Sequence, residues 1–132
     1  MQRDDMLAKV EAAYQARRSG DFAALEAIVS PEAKFCYGGE QSLLATVPAS
    51  GAGRVVQAAR ELFERIEIRS LERVQAVAEG NRVAILWNTT LVPPGGAPFD
   101  TQMFDLWEFD EDGLICCGTQ FLDTAKLVAE MQ

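Results

Sequence analysis

The stretch MFDLWEF, residues 103–109, places Asp105 in the middle of a segment whose other residues suit a buried or half-buried β-strand. Side chains alternate along a strand, so Met103, Asp105 and Trp107 share one face. A carboxyl group in apolar surroundings has its pKa raised by desolvation, and in the protonated form it donates a hydrogen bond. Asp105 is therefore a candidate hydrogen-bonding or acid–base group of a small-molecule pocket. The alternative is a structural aspartate, bonded to nearby backbone or to Tyr14.

Other side chains could complete such a pocket. The hydroxyls of Tyr14 and Tyr37 either point into the pocket as catalytic groups or belong to core aromatics with satisfied hydroxyls. Gln120 interrupts an apolar stretch and is a second candidate polar group for holding a ligand. The candidate apolar walls are Trp87, Met103, Trp107, Phe63 and Leu44.

Composition and charge exclude several classes of protein. The chain has 132 residues, the size of one domain, and its 48% hydrophobic and 24% charged residues are typical of a globular protein with a core. The net charge of −8 argues against nucleic acid, whose phosphates require Lys and Arg patches. No apolar run approaches the roughly 20 residues of a membrane helix, and the first residues lack the apolar centre of a signal peptide. We expect a cytoplasmic protein that binds neither nucleic acid nor membrane.

Metal and cofactor chemistry finds little support in the residue types. The chain has no histidine, so the commonest metal ligand and the usual base for activating a nucleophile are missing. Of the three cysteines, Cys116 and Cys117 are adjacent and would face opposite sides of a strand, which disfavours joint chelation. We expect no metal and no cofactor, and we interpret the cysteines as small buried hydrophobic residues.

Periodicity and turn residues predict helices first and strands afterwards. Leu7, Val10 and Tyr14 recur at helical spacing, and Asp21 can cap a second helix. The segment 38–53 is long for a structureless connection and is predicted to be a lid or binding loop. The predicted elements are helices over 3–18, 22–28 and 53–66, strands over 33–37, 67–79, 82–92, 99–109 and 114–123, and a last helical turn over 124–130.

This order of elements predicts an α+β domain. A curved antiparallel sheet would wrap around the N-terminal helices as a cone, and the pocket would lie on the concave face of the sheet.

Three segments resemble SnoaL-like and ketosteroid-isomerase-like proteins of the nuclear transport factor 2-like superfamily: AYQARRSGDFAALEAIVSPEAKF, FDLWEFDEDGLI and FLDTAKLVAEM. Leu114 stands where lysine is usual in that family. The resemblance implies a single SnoaL-like domain over 1–132, a cone-shaped sheet and a deep apolar pocket. It also implies a homodimer through the outer sheet face, which includes Phe104 and Leu106. Fold alone does not fix function.

The resemblance assigns catalytic positions one at a time. In ketosteroid isomerases a late-strand aspartate, kept protonated by apolar surroundings, forms part of an oxyanion hole, and Asp105 matches that position. The general base of those enzymes aligns with Tyr37, whose neutral phenol is a poor base. Their helix-one tyrosine aligns with Ala13, and Tyr14 lies one position later, about 100° around the helix.

Epoxide hydrolysis is disfavoured by the same comparison. Limonene-epoxide-hydrolase-like members use an arginine and two aspartates, and the matching positions here are Trp87, Thr89 and Gln120. SnoaL-type polyketide cyclases also depend on a pocket carboxylate, and Gln120 is a poor match if theirs lies on the last strand.

The main hypothesis is an acid–base isomerase, cyclase or dehydratase that acts on a hydrophobic carbonyl or polycyclic compound. Asp105, with Tyr14 or Tyr37, would stabilise the developing oxyanion, and Glu40 is the only acidic residue proposed as the base. One alternative is a non-catalytic binding module in which Asp105 and Gln120 orient an apolar ligand; the missing base favours it. Another is a dimeric assembly protein, or one whose outer sheet face serves a protein partner.

Overall fold

A computed structural model of the chain describes residues 1–38, 49–50 and 65–131. Two helices, α1 (Arg3–Ser19) and α2 (Phe22–Ala27), precede the sheet, and α3 (Thr124–Met131) follows it. The strands are β1 (Val29–Gly38), β2 (Ala49–Ser50), β3 (Glu67–Glu79), β4 (Arg82–Val92), β5 (Phe99–Phe109) and β6 (Ile115–Leu122). The predicted α+β class, with a curved sheet around N-terminal helices, is confirmed.

The helices form where the sequence places their apolar stripe and caps. Leu7, Val10 and Tyr14 are all buried on one face of α1, as their spacing predicts. Gly20 ends α1 in the left-handed region, at φ 75°. Asp21 then caps α2, and its Oδ1 accepts a hydrogen bond of 3.1 Å from the Ala24 amide. The short loop therefore folds α2 back beside α1.

The sheet has the strand order β2-β1-β6-β5-β4-β3. Neighbours pair antiparallel except β1 and β6, which are parallel. The prediction of a fully antiparallel sheet is thus wrong at one pair, and the sheet is mixed. The reason is that alternation of apolar residues reports which face of a strand is buried, whereas it carries no information about the strand beside it.

The strand β1 begins four residues earlier than predicted, at Val29 instead of position 33. Val29 pairs with Ile115, and the register then shifts before the next pair, Lys34 with Cys117. This irregularity accommodates Pro31, which has no amide hydrogen to give to a ladder. Pro31, which comes soon after α2, therefore lies within a strand. The predicted bounds of β3, β4 and β5 are confirmed.

The cysteines are less buried than predicted. Cys36 is exposed, and Cys116 and Cys117 are partly buried. Cys36 lies on the opposite face of β1 from the buried Phe35, and a register shift between β5 and β6 interrupts alternation beside Cys116.

Several predicted features lie outside the described residues. They are most of the 38–53 segment, residues 53–64 of the predicted third helix, the side chain of Tyr37, and the residues Glu40, Leu44 and Phe63.

A glycine allows two aromatic rings to meet across the sheet. Gly118 pairs with Phe35 on one side and Trp107 on the other. The two rings stack over it, with centroids 5.7 Å apart. A Cβ atom at this position would lie 2.7 Å from the Trp107 ring and 2.8 Å from the Phe35 ring. The strand therefore carries glycine here because the space above it is already filled.

We expect Gly118→Ala to destabilise the protein by about 1–3 kcal/mol, because the added methyl group overpacks a ring stack that cannot easily move. The measurement is the free energy of unfolding from urea titration. Thr119→Ala is the control, since it changes the next residue of β6, whose side chain is partly exposed. Equal stability of the wild type and the Gly118 variant would show that the stack is loosely packed.

Candidate functional site

The Asp105 carboxyl group lies at the centre of the candidate site. It is fully buried, at 0% exposure. Its Oδ2 accepts hydrogen bonds from the Tyr14 hydroxyl, from Trp87 Nε1 at 2.8 Å and from Trp107 Nε1 at 3.1 Å. The three donors come from α1, β4 and β5, so a single oxygen atom joins the first helix to the middle of the sheet.

Strand geometry brings these groups together. Met103, Asp105 and Trp107 are all buried on the inner face of β5, as alternation predicts. Gln120 pairs directly with Asp105 in the register of β5 and β6, and its Nε2 donates to the Tyr14 hydroxyl at 2.5 Å. Although Tyr14 is one position later than the family tyrosine, its hydroxyl reaches the carboxyl group. Tyr14 therefore connects Asp105 to Gln120.

The pKa of Asp105 is raised from its ordinary value of 3.8 by burial, which disfavours the charged form. Hydrogen bonding with Tyr14, and then with Trp87, Trp107 and Gln120, opposes that shift only in part. Two acceptor atoms in the same place, Asp105 Oδ1 and Gln120 Oε1, are buried without a hydrogen-bond partner among the described residues. An unpartnered oxygen costs more free energy when it carries charge.

A neutral carboxyl group is compatible with these hydrogen bonds. If Oδ2 carries the proton, it has two lone pairs for the two indoles and one hydrogen for Tyr14, so each bonding position is used. The tyrosine hydroxyl then accepts from Asp105 and Gln120, and its own hydrogen becomes available to another acceptor. Burial therefore favours the protonated form of Asp105, and the hydrogen bonds to Oδ2, which favour the charged form, offset that effect only in part.

A small cavity adjoins Tyr14, whose hydroxyl is hydrogen bonded to Asp105 and Gln120. It has a volume of about 30 Å³, and since roughly 10–15 Å³ holds one water, it accepts two or three water-sized atoms. Its aromatic and charged lining comes from Tyr14, Arg17, Phe35 and Trp107. The aliphatic lining comes from Ala13, Leu25, Val29 and Ile115. Asp105 does not line this cavity and lies behind Tyr14 and Trp107.

Arg17 is a site residue that the sequence reasoning missed. It is only 7% exposed, and its Nε has no hydrogen-bond partner within the described part of the chain. Its guanidinium carbon lies 5.9 Å from the centre of the Tyr14 ring. The sequence does contain a signal for this burial, because Arg17 continues the helical spacing of Leu7, Val10 and Tyr14. It therefore belongs to the buried face of α1.

The other predicted pocket residues occupy different places. Trp87, Met103 and Gln120 are buried, but they do not line the cavity beside Arg17. The Tyr14–Asp105 hydrogen bond is a contact that the structural interpretation of Asp105 also predicts. The roles of these residues in binding and catalysis stay predictions.

Among the described residues, no group of three or more His, Cys, Asp or Glu side chains could hold a metal ion. Burial, followed by the neighbouring Glu108, raises the pKa of Cys117 to about 11. Its thiol therefore stays protonated at neutral pH and is a weak nucleophile. No helix within the described ranges is long and apolar enough to cross a membrane.

The helices, the curved sheet and the polar network inside it define a cone-shaped α+β protein of the nuclear transport factor 2-like class. The family model described as the SnoaL-like domain matches residues 10–117, and the chain belongs to this family. None of the curated proteins matches the sequence.

Solved structures with this fold are similar over nearly the whole chain. An NTF2-like protein of unknown function from Burkholderia pseudomallei has a TM-score of 0.83 at 18% identity, covering 100% of this chain and 99% of that one. An LEH-like epoxide hydrolase from M. tuberculosis has a TM-score of 0.74 at 17% identity, covering 97% and 90%. A protein with a ketosteroid isomerase-like fold from Catenulispora acidiphila, in complex with trimethylamine, has a TM-score of 0.77 at 16% identity, covering 93% and 91%. Identities this low establish the fold alone.

The raised pKa of Asp105 predicts a specific dependence of stability on pH. An unfolded aspartate titrates near pH 4. From there up to the folded pKa, the folded chain holds a proton that the unfolded chain has lost. The free energy of unfolding should therefore fall with rising pH in that window, by about 1.4 kcal/mol per pH unit, and level off above it. The stabilisation is complete below the unfolded pKa.

Asp105→Asn removes this titration, so the stability difference between wild type and variant should shrink as the pH rises from about 4. Urea unfolding at a series of pH values measures it. Asp4→Asn, at a side chain that is 91% exposed, is the control and should leave the pH profile unchanged. A difference that grows with pH would mean that Asp105 is ionised in the folded protein.

Proposed function

We propose that this protein is a small-molecule enzyme that isomerises, cyclises or dehydrates a hydrophobic carbonyl compound by acid–base chemistry. The observation that carries this proposal is the hydroxyl of Tyr14, which belongs to a cavity-lining residue and is hydrogen bonded to both Asp105 and Gln120. Similar folds in a protein that binds trimethylamine and in an epoxide hydrolase support a small-molecule role.

Tyr14 is the donor that faces the substrate in this mechanism. The protonated carboxyl group of Asp105 donates to Tyr14 Oη, and Tyr14 donates to the carbonyl oxygen of the substrate. As a base removes the proton next to the carbonyl, negative charge develops on that oxygen and the hydrogen bond from Tyr14 strengthens. Gln120 donates to the same hydroxyl oxygen at 2.5 Å and fixes its position. Glu40, on the 38–53 segment, is the proposed base.

A non-catalytic binding module is the second candidate. It is favoured because none of the described residues that line this cavity is a carboxylate, so the cavity itself offers no carboxylate base to a bound substrate. In that case the same network would orient a bound carbonyl or hydroxyl group without turnover.

The outer face of the sheet is proposed to form a homodimer. Leu86, Phe104 and Phe121 lie in one cross-strand row, because Phe104 pairs with each of the other two. Phe104 is 47% exposed and Phe121 50%. A monomer rarely leaves a contiguous apolar patch of this kind in water. A second copy of the chain presents the same patch, so the two patches can pack against each other about a twofold axis.

Tyr14→Phe should reduce turnover of hydrophobic ketones by about 10²–10³-fold, as expected when one oxyanion donor is lost. It should also weaken the thermal stabilisation by planar phenols, which mimic an enolate. The measurements are steady-state rates and melting temperatures with each phenol.

Tyr37→Phe is the matched comparison, because these are the two tyrosines of the chain. Full activity in the Tyr14 variant, with loss in the Tyr37 variant, would move the donor role to Tyr37. Phenol binding that depends on Tyr14, without turnover of any ketone in the wild type, would favour the binding module.

Phe104→Glu combined with Phe121→Glu should convert the dimer to a monomer at micromolar concentration, because charges placed in an apolar interface lose their hydration. Sedimentation velocity measures the assembly state. Ala12→Glu adds one charge on the exposed side of α1 and should leave a dimer. A wild-type protein that sediments as a monomer would contradict the assignment.

A further inference from the structure

We infer that the cavity beside Tyr14 binds the carboxylate of a small aromatic acid, and that Arg17 recognises it. This inference names a ligand class for the site proposed above and rests on that proposal. It is carried by the juxtaposition of the buried Arg17 side chain, which forms no ion pair with the described residues and whose Nε has no hydrogen-bond partner among them, with an aromatic and aliphatic cavity; the proposed carbonyl chemistry does not explain this arrangement.

Arg17 holds a positive charge that no described residue neutralises. Its side chain takes part in none of the ion pairs among the described residues, and its Nε is buried without a hydrogen-bond partner. The face of Tyr14, 5.9 Å away, offers only a weak cation–π contact. Removing a charge from water without a partner is costly, so charged side chains are rarely buried alone.

Because Arg17 lines the cavity, an anion bound in the cavity can supply the partner that Arg17 lacks among the described residues. Arg17 lines the same space as Tyr14, Phe35 and Trp107. An arginine fork binds a carboxylate through parallel N–H···O bonds, which supply charge and hydrogen-bond acceptors together. A volume of about 30 Å³ holds two or three water-sized atoms by the usual criterion of roughly 10–15 Å³ per water. That is the size of a carboxylate head group.

The walls of the cavity select among anions. Leu25, Val29 and Ile115 offer no hydrogen-bonding side chain to a strongly hydrated anion such as phosphate. The stacked rings of Phe35 and Trp107, at 5.7 Å, instead present apolar surface on which an aromatic ring can pack. A carboxylate that fills the cavity and carries its aromatic body at the opening therefore fits both the charge and the walls, whereas a cation would be repelled by Arg17.

Direct binding measurements test the inference without any need for turnover. Benzoate and hydrocinnamate, with benzamide and hydrocinnamide as neutral partners of the same shape, are titrated into the protein by calorimetry. Inorganic phosphate and tetramethylammonium serve as the other anion and the cation. None of these probes is an enolisable ketone, so the outcome does not depend on the proposed reaction.

Three variants test whether Arg17 is the residue that binds the carboxylate. Arg17→Met keeps the length of the side chain and removes its charge; Arg17→Lys keeps the charge and removes the fork. Arg18→Met makes the same change at the next residue, whose guanidinium instead bonds the Arg69 carbonyl. We expect the wild type and the Arg18 variant to bind the acids, the Arg17→Met variant to bind them about 10- to 100-fold more weakly, in line with hydrogen bonds to charged groups, and the lysine variant to lie between.

The unliganded proteins provide an independent readout. Because Arg17 is buried without an ion-pair partner among the described residues, Arg17→Met should melt at the same temperature as the wild type or higher. Acids that bind no better than their amides, phosphate that binds as well as benzoate, or acid binding unchanged in Arg17→Met would each overturn the inference. Absence of acid binding by the wild type would also overturn it. If Tyr14→Phe leaves ketone turnover and phenol stabilisation unchanged while the wild type still binds the acids, the result counts against the proposed reaction alone.

Discussion

The hydrogen bonds that converge on Asp105 Oδ2 fix much of the geometry of this protein. A carboxyl group at 0% exposure requires nearby donors, and here they come from a helix and from two adjacent strands. The bond to Tyr14 joins residues 91 positions apart in the chain. It constrains the rotation of α1 about its axis, because a turn of one residue moves a side chain by about 100°. The same rotation places Arg17, one helical turn later, at the cavity.

The network also explains why an acid can lie inside an apolar core at tolerable cost. A neutral carboxyl group loses far less hydration than an ionised one, and the two indoles and the phenol then use every bonding position of Oδ2. Two oxygens of the network, Asp105 Oδ1 and Gln120 Oε1, have no hydrogen-bond partner among the described residues, and they belong to directly paired residues of β5 and β6.

The buried faces of β4 and β5 could be predicted from the sequence because buried and more exposed residues alternate in β4 and in the second half of β5. In β5 the buried residues are every second one from Met103 to Phe109, so Asp105 could be assigned to the inner face without coordinates. The parallel pairing of β1 with β6 could not be predicted, since no local pattern reports a neighbour that is distant in the chain. The path of β1 through Pro31 was hidden for a related reason, because the register shift that tolerates the proline is a property of two strands.

The candidate site was harder to predict than the fold, and Tyr14 and Arg17 show why. The family resemblance places the helix-one tyrosine at Ala13, about 100° around the helix from Tyr14, yet the Tyr14 hydroxyl reaches Asp105. Arg17 lay on the apolar stripe of α1, where arginine normally extends its head group to water. Its burial depends on α2 and β1, which supply Leu25, Val29 and Phe35 around the same cavity.

The overall charge and the local charge of the protein act in opposite directions on an acidic ligand. The chain carries a net charge of −8, which repels anions at long range, but salt screens exposed charges beyond about 8 Å under physiological conditions. Among the described residues that line the cavity, only Arg17 is charged, and a protonated Asp105 adds no negative charge behind Tyr14. The protonation state of Asp105 therefore affects more than its own hydrogen bonds: an ionised carboxylate there would oppose the attraction of Arg17 for an anion, whereas the neutral form preserves it.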